Sequence, residues 1–345
     1  MSELNIDHIS LEASEVEEEF QEEVTEPEIS PWLNERTKAI KNPNIRLHCE
    51  IIDFYQYIAP KKEDHMLRIA AVDRVKKIIE GAINDCSLIP FGSFVTQLYL
   101  PNSDVDMVLM SKIHNKQTLL TKASKAVKKN PDVFTNVEVL KNARVPIIKF
   151  TEAETGVDFD ICFNEEGGLL NIDEFMRAFE IHPELKYLMF ICKVMLRQRR
   201  LNNSFTGGIG SFLLFCMILA FLREFKKRKM NEGGINALKN CTLTDYLLKF
   251  LYFYGIEFDY QRREIVMTNG GKIIDKDRPS FNFSLISPQN PSHNIGNQVF
   301  KFKDVFSIFK NRHNLITNTS FNPNESILKQ LINPSNRRFK DFFVN

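Results

Sequence analysis

Two aspartates at the entrance to an apolar strand constrain this chain more than any other feature. The segment FGSFVTQLYLPNSDVDMVLM, residues 91–110, places Gly92 and Ser93 after a short apolar run and puts Asp104 and Asp106 two apart before another. Side chains two apart on a strand share a face. Two carboxylates held there repel each other and lose hydration unless a cation lies between them. A pair of Mg²⁺ ions is the natural candidate, because Mg²⁺ prefers oxygen ligands.

The run from Val157 to Phe163 offers a third carboxylate on another strand. It alternates along its length, with apolar residues on one face and Asp158, Asp160 and Cys162 on the other. The alternation alone does not choose between Asp158 and Asp160.

Charge is spread unevenly along the 345 residues, although the formal net charge is only +1. Residues 1–30 hold 11 of the 44 acidic side chains and no Lys or Arg, which is typical of a disordered acidic tail. The remaining chain carries a net charge of about +12, the balance expected of a protein that handles polyanions.

The six cysteines are scattered without a CxxC pair, which favours reduced, buried thiols in an intracellular protein over a disulfide framework or a zinc site. The amino terminus is acidic where a signal peptide requires positive charge. The longest apolar run, residues 209–222, is shorter than the roughly 20 residues that span a bilayer. We therefore expect no membrane association and a buried helix at 209–222.

Hydrophobic periodicity predicts a mixed region followed by a helical one. The mixed region is predicted to contain helices at 42–59, 61–82, 94–98 and 116–129, and strands at 88–91, 104–110, 133–140, 144–150 and 157–163. Later helices are predicted at 171–181, 184–200, 210–229, 243–254 and 302–310, with a hairpin at 269–271 and a polar loop at 287–297.

These residue types suit the transfer of a nucleotide. The backbone at Gly92 lacks a side chain and can approach a triphosphate closely, while the Ser93 hydroxyl can donate to it. Asp104 and Asp106 would bridge two metals, and the third carboxylate would complete the metal that activates an attacking hydroxyl. A lone Gly-Ser pair is usually a turn, and a lone Asp-x-Asp is usually a solvated strand end. Their order and spacing together favour a catalytic site.

Five segments carry a family resemblance, namely FGSFVTQLYLPNSDVDMVL, ARVPIIKF, VDFDICFN, RRLNNSFTGGIGSF and SHNIGN. In this order they resemble the nucleotidyltransferase superfamily of DNA polymerase beta, and within it the noncanonical poly(A) and poly(U) polymerases. YLPNSDVDMV, ARVPIIKF and RRLNN are most similar to the nuclear poly(A) polymerases of the TRAMP complex, which tail RNAs for exosome decay. The resemblance implies an α+β fold of two domains, a polymerase-beta-like palm with a mixed sheet and a helical central domain, with the catalytic cleft between them.

The resemblance also implies where the domains lie. We expect an acidic disordered tail at 1–30 and a nucleotidyltransferase catalytic domain at 61–165. The central helical, PAP-associated domain is expected to comprise 42–60 together with 166–343.

The family's pattern of hydrophobic-Asp-hydrophobic-x-Phe-Asn fits Asp160 and leaves Asp158 as a neighbour. The resemblance therefore implies catalytic and metal-binding roles for Asp104, Asp106 and Asp160. The nucleotide-binding residues that it implies are Gly92 and Ser93 at the turn, Asn164 at the sugar, Lys193 and Arg197 at the β- and γ-phosphates, Ser211 and Phe212 at the base, and His293 and Asn294 in the polar loop.

His293 departs from the subfamily that the other motifs resemble. In relatives that add uridylate, a His in this loop faces the base and excludes adenine, whereas TRAMP-type polymerases commonly have Asn there. The alternative to an adenylyltransferase is therefore a terminal uridylyltransferase. An inactive RNA-binding scaffold subunit is a further alternative, which clustered carboxylates disfavour because a scaffold has no use for them.

The implied substrates are ATP and RNA 3′ ends, and the implied cofactors are two Mg²⁺ ions, for which Mn²⁺ can substitute. The resemblance implies a zinc-knuckle RNA-binding protein and an RNA helicase as partners. It implies a role in RNA surveillance in the nucleus, with the cytoplasm as the alternative location.

Overall fold

The computed structural model describes residues 30–340 and 342, apart from 144, 171, 269–270 and 321. The acidic tail predicted at 1–30 therefore lies outside the described residues, except for Ser30.

The helices and strands follow the predicted order closely. In chain order the helices are α1 Glu35–Lys38, α2 Pro43–Ile58, α3 Lys62–Ala82, α4 Ser93–Thr96, α5 Lys116–Lys128, α6 Gly167–Leu170, α7 Ile172–Ile181, α8 Leu185–Gln198, α9 Ser211–Lys239, α10 Leu243–Tyr252, α11 Phe302–Asn318 and α12 Arg337–Lys340. The strands are β1 Cys86–Pro90, β2 Val105–Ser111, β3 Phe134–Leu140, β4 Ile147–Glu152, β5 Val157–Phe163, β6 Arg263–Val266, β7 Lys272–Asp275 and β8 Leu285–Ile286.

The described residues divide into two units. Residues Ile58–Lys186 form the first, here called the sheet unit, and the residues up to Tyr57 with Tyr187–Lys340 form the helical unit. Helices α6 and α7 thus belong to the sheet unit, whereas the sequence suggested that everything after 165 is part of the helical domain. The physical reason lies in their contacts, since Gly168 packs so closely on the Phe91 ring that a side chain there would collide with it.

The sheet unit is built on a five-stranded mixed sheet of order β1-β2-β5-β4-β3. Strands β2 and β5 are parallel, while β1–β2, β5–β4 and β4–β3 are antiparallel. One face carries the hydrophobic core with α3 and α5, which includes Val75, Ile79, Met107, Leu119, Ala123, Val127, Ile148, Phe150, Phe159 and Ile161. Because strand side chains alternate, Asp106, Lys149 and Asp160 lie on the opposite face.

The two helices behind this sheet are fixed by ordinary local signals. Helix α3 has Glu63 and Asp64 in its first turn, where their negative charge interacts favourably with the positive end of the helix dipole. Its buried residues Ala71, Val75 and Ile79 recur every four positions and form one apolar stripe. Helix α5 begins after Asn115, whose side chain accepts a hydrogen bond from the Thr118 amide.

The helical unit is centred on α9. Its residues 213–222 are all buried, as the sequence predicted for this apolar run, and Tyr254 Oη donates to the Met217 carbonyl at 2.8 Å. The helix continues to Lys239 rather than ending near 229, and non-helical backbone at Gly233 and Gly234 marks a kink within it. The polar residues after 225 end the apolar pattern without ending the helix.

A small second sheet of order β7-β6-β8 completes the helical unit. Antiparallel pairing of β6 with β7 confirms the predicted hairpin, although residues 269–270 of its turn lie outside the described residues. An isolated bridge between Ile286 and Asn294 joins the polar loop to this sheet.

The cysteines agree only partly with the expectation of reduced, buried thiols. All six cysteines are free thiols, but only Cys162, Cys192 and Cys216 are buried, and the other three are half-buried. Within the described residues, no helix is both long and apolar enough to cross a bilayer.

Candidate active site

Strand pairing brings three carboxylates together in the sheet unit. Asp106 of β2 lies directly opposite Asp160 of β5 in the parallel register, and Asp104 is the residue just before β2. One ligand oxygen from each of the three lies within 4.8 Å of the others. Asp104 is exposed, while Asp106 and Asp160 are half-buried. Asp158, the other carboxylate on this face, is exposed and instead accepts a 2.6 Å hydrogen bond from Thr151 Oγ1.

The donor set fits divalent cations that prefer oxygen. Three carboxylates with ligand atoms this close repel one another, and a divalent cation bound among them would relieve that repulsion, as in sites where carboxylates hold Mg²⁺ or Mn²⁺. Asp104, Asp106 and Asp160 are therefore the residues that could hold metal.

A lysine that the sequence analysis did not single out lies against this cluster. Lys149 of β4 is the direct antiparallel partner of Asp160, and its ammonium donates to Asp160 Oδ2. Burial acts to lower the pKa of Lys149, but its hydrogen bond to Asp160 and the charges of the three carboxylates outweigh this effect, so the pKa of Lys149 is raised. Burial raises the pKa of the Asp160 carboxyl. The hydrogen bond from Lys149 acts to lower this pKa, whereas the negative charge of Asp104 acts to raise it further. A positively charged side chain of the protein itself therefore lies within the cluster.

The turn at Gly92 is shaped by the neighbouring carboxylate. Gly92 has φ +66°, a conformation that favours glycine. A Cβ added there would lie 3.1 Å from Asp106 Oδ2. Ser93 begins the four-residue helix α4 directly after this turn. The turn thus presents bare backbone beside Asp106.

The loop that leads into Asp104 is held by a buried arginine. Arg68 of α3 donates from Nη1 to the Ser103 carbonyl at 2.6 Å and from Nη2 to the Pro101 carbonyl at 2.7 Å. Its guanidinium lies 4.6 Å from the centre of the Tyr99 ring, and burial raises the pKa of Tyr99 to about 12. His65 Nδ1 is 3.1 Å from Tyr99 Oη. These contacts hold the backbone of residues 101–103, which leads directly into Asp104.

Asn164 ties the ends of two central strands together. It adopts φ +47°, its Oδ1 accepts from the Ser111 amide at 2.9 Å, and its Nδ2 donates to the Ile113 carbonyl at 2.9 Å. The side chain therefore supports the ends of β2 and β5. Its contact with a ribose stays a prediction.

The remaining predicted site residues belong to the helical unit. Lys193 and Arg197 are four apart on α8, with Lys193 buried and Arg197 half-buried. Ser211 is the exposed first residue of α9, and Phe212 beside it is half-buried, so Phe212 is distinct from the fully buried run that follows. Their roles toward a nucleotide stay predictions.

In the polar loop, Asn294 organises the backbone and His293 is exposed. Asn294 Oδ1 accepts from the amides of Leu285 and Gly296 at 3.0 and 2.9 Å. Its Nδ2 donates to Ser284 Oγ at 2.9 Å and to Asn297 Oδ1 at 3.2 Å. With every hydrogen-bonding direction of its amide in use within the loop, Asn294 holds the conformation from which His293 projects.

Comparison with known proteins identifies the family and the fold. Residues 47–173 match the family model described as the central palm domain of mitochondrial-like poly(A) RNA polymerase. The solved polymerase core of TRAMP, an RNA surveillance complex, is 30% identical with a TM-score of 0.77, and the match covers 89% of this chain and 100% of that one. The chain belongs to the family of noncanonical poly(A) polymerases. Its palm has the polymerase-beta-like nucleotidyltransferase fold, as the sequence motifs implied.

Curated relatives of this family include Poly(A) RNA polymerase protein 2 of Saccharomyces cerevisiae. It is 31% identical over 318 residues, which cover 88% of this chain and 53% of the relative. The chain spans about half the length of the curated relatives that it matches first. A Drosophila melanogaster relative, 31% identical over 236 residues covering 67% of this chain and 56% of its own length, is named an inactive noncanonical poly(A) RNA polymerase. A solved structure of mtPAP with UTP has a TM-score of 0.69 at 17% identity, covering 90% of this chain and 79% of that one, and shows the fold alone.

Proposed function

We propose that this protein is a polynucleotide adenylyltransferase that transfers AMP from ATP to the 3′-hydroxyl of RNA without a template. The observation that carries the proposal is the cluster of Asp104, Asp106 and Asp160, with ligand oxygens within 4.8 Å of one another. The names of its poly(A) polymerase relatives support ATP as the nucleotide. Because one relative is named inactive, family membership alone does not decide activity, and the clustered carboxylates are what supports an active enzyme here.

Two Mg²⁺ ions held by these carboxylates, for which Mn²⁺ can substitute, would supply stabilisation of the entering and leaving oxygens of an in-line displacement. Gly92 gives the triphosphate access to backbone, and Ser93 donates its hydroxyl to it. Asn164 contacts the ribose, whose 2′-hydroxyl distinguishes a ribonucleotide from a deoxyribonucleotide. These residues form the part of the mechanism that the sheet unit contributes.

Residues of the helical unit are proposed to select and hold the nucleotide. Lys193 and Arg197 neutralise the β- and γ-phosphates. Phe212, next to Ser211, stacks on the base, a contact worth about 1 to 3 kcal/mol. His293 and Asn294 belong to the loop that reads the base edge.

The partners and location are proposed from the likeness to the TRAMP polymerase core, which belongs to an RNA surveillance complex. We propose RNAs destined for exosome processing or decay as substrates. A zinc-knuckle RNA-binding protein and an RNA helicase are proposed to supply substrate choice. The proposed location is the nucleus.

The proposal is tested by incubating the protein with labelled oligo(A), Mg²⁺ and each of the four nucleoside triphosphates in turn. We expect extension with ATP, its loss in Asp104→Ala, and near-normal extension in the matched variant Asp158→Ala, which removes an exposed carboxylate outside the cluster. Failure of the wild type to extend RNA with any triphosphate, or unchanged extension by Asp104→Ala, contradicts the proposal.

One observation keeps a uridylyltransferase as the second candidate, namely the exposed His293 in the base-reading loop. The solved uridylyltransferase structures are 18 to 19% identical to this chain, so they support the shared fold and not the substrate. Incorporation of ATP and UTP by the wild type and by His293→Asn separates the two. UTP preference in the wild type that reverses in the variant favours the second candidate.

A further inference from the structure

Two of the three carboxylates form one row across the sheet with Lys149. Asp106 of β2 faces Asp160 of β5, and Asp160 faces Lys149 of β4. Residues paired directly across neighbouring strands present their side chains on the same face. The row therefore consists of two carboxylates followed by an ammonium, and Asp104 lies beside it, just before β2.

The ammonium of Lys149 occupies one of the two carboxylate oxygens of Asp160. It donates to Asp160 Oδ2, and the two side chains are 37% and 19% exposed. A hydrogen-bonded ammonium neutralises one carboxylate and thereby relieves the repulsion among three. A divalent cation that uses Asp160 either displaces the ammonium from Oδ2 or binds the carboxylate with the ammonium's positive charge still beside it.

We propose that Lys149 is the resident counter-ion of Asp160, which stabilises the metal-free site and competes with the divalent cation that Asp160 helps to bind. This inference rests on the proposed function, since it takes the carboxylates as metal ligands. Lys149 acts through Asp160 and is therefore a positioning residue. It sets how much free metal the protein requires before the site is filled.

The competition has two measurable consequences. Removing the ammonium leaves Asp160 unneutralised, so the metal-free protein becomes less stable. The same change frees the oxygen, so divalent cations bind more tightly, by about three- to tenfold for a half-exposed charge-assisted hydrogen bond. A merely structural lysine would give the first effect without the second.

The test uses the full chain, freed of metal with EDTA and dialysed, and titrated with Mn²⁺ by calorimetry. We expect Lys149→Met to bind Mn²⁺ about three- to tenfold more tightly than the wild type. Its unfolding temperature should be lower in EDTA, and its rise on adding Mn²⁺ should be larger. Lys149→Arg keeps the charge and should stay close to the wild type.

The matched control is Lys116→Met. Lys116 forms an ion pair with Glu165 in the same unit, the two side chains are 38% and 39% exposed, and neither belongs to the carboxylate cluster. Its loss should leave Mn²⁺ affinity unchanged. Unchanged or weaker Mn²⁺ binding by Lys149→Met overturns the inference and leaves the proposed function standing. If instead the wild type binds no Mn²⁺, or binds it as well as Asp160→Asn does, the metal site itself is refuted together with the inference.

Discussion

Arg46 and Glu50 form an ion pair in which both side chains are 0% exposed, with Nε of Arg46 3.0 Å from Oε1 of Glu50. The guanidinium also donates to the carbonyls of Pro323 and Glu325, at 2.8 and 2.6 Å. Glu50 Oε2 accepts from Ser326 Oγ at 2.7 Å and from the Leu328 amide at 2.9 Å. One pair on α2 therefore anchors the segment 323–328 to the helical unit.

Removing one partner of this ion pair should strongly destabilise the fold. We expect Glu50→Ala to lower the free energy of unfolding by about 3 to 5 kcal/mol, because it leaves a buried guanidinium without its counter-charge. Urea unfolding followed by circular dichroism measures the change. The control is Glu35→Ala, which removes the 90% exposed partner of Lys38 and should leave the midpoint unchanged. A small effect of Glu50→Ala would show that the buried pair does not anchor the segment.

Gly92→Ala should reduce activity far more than a backbone change of the same kind elsewhere. Both Gly92 and Gly156 have φ near +66 to +69°, so alanine strains the backbone at either position by about 1 to 3 kcal/mol. Only at Gly92 does the new Cβ meet a carboxylate oxygen, that of Asp106, at 3.1 Å, while nothing lies within 4 Å at Gly156. We expect kcat/KM to fall by about two orders of magnitude in Gly92→Ala and to stay near normal in Gly156→Ala. Equal losses in both variants would mean that the carboxylate contact is irrelevant.

Arg68→Lys should impair catalysis through the position of Asp104. A lysine cannot reproduce the forked donation to the Pro101 and Ser103 carbonyls, so the loop before Asp104 loosens. We expect activity to fall by about tenfold or more and the Mg²⁺ concentration for half-maximal activity to rise. The matched variant is Arg74→Lys on the same helix, which loosens the bidentate contact with Glu152 away from the cluster. It should lower stability without changing the Mg²⁺ requirement, and a shift in that requirement of equal size would contradict the proposed role of Arg68.

His65 should make the fold sensitive to mildly acidic pH. Burial, with a smaller contribution from Arg68, lowers the pKa of His65 below its usual 6.5. The unfolded chain therefore takes up this proton at a higher pH than the folded chain does, so stability present above about pH 6.5 is lost as the pH falls through that value toward the folded pKa. The urea midpoint should drop between about pH 7.5 and about pH 5.5, and less so in His65→Gln. His114→Gln, at an exposed position, should keep the wild-type pH dependence, and identical profiles for all three proteins would exclude His65 as a source.

The periodic features of this fold could be predicted from the sequence because they are local. Alternation placed Asp158 and Asp160 on one face but could not separate them, since both satisfy the same period of two. The structure separates them through pairing: Asp160 faces Asp106 and Lys149, whereas Asp158 faces Thr151. Register between strands is a long-range property that no single segment encodes.

The residues missed by sequence analysis act on partners far along the chain. Arg68 holds carbonyls about 35 residues away, and Glu50 accepts from residues more than 270 positions later. Arg199 lies in a basic stretch at the end of α8, yet it is 8% exposed, and its guanidinium donates to the carbonyl of Leu331, 132 positions later, at 3.4 Å. A sequence shows that a residue is charged, but it does not show which distant carbonyl will pair with that charge when both are buried.

The parallel alignment of β2 with β5 also bears on how proteins of this architecture can change. Asp106 and Asp160 meet through hydrogen-bonded backbone and not through closeness along the polypeptide. Insertions or deletions in the connecting segments do not separate Asp106 from Asp160, provided that β2 and β5 keep their register. The connecting segments at the periphery of the palm can therefore be changed in length by protein engineering without separating these two carboxylates.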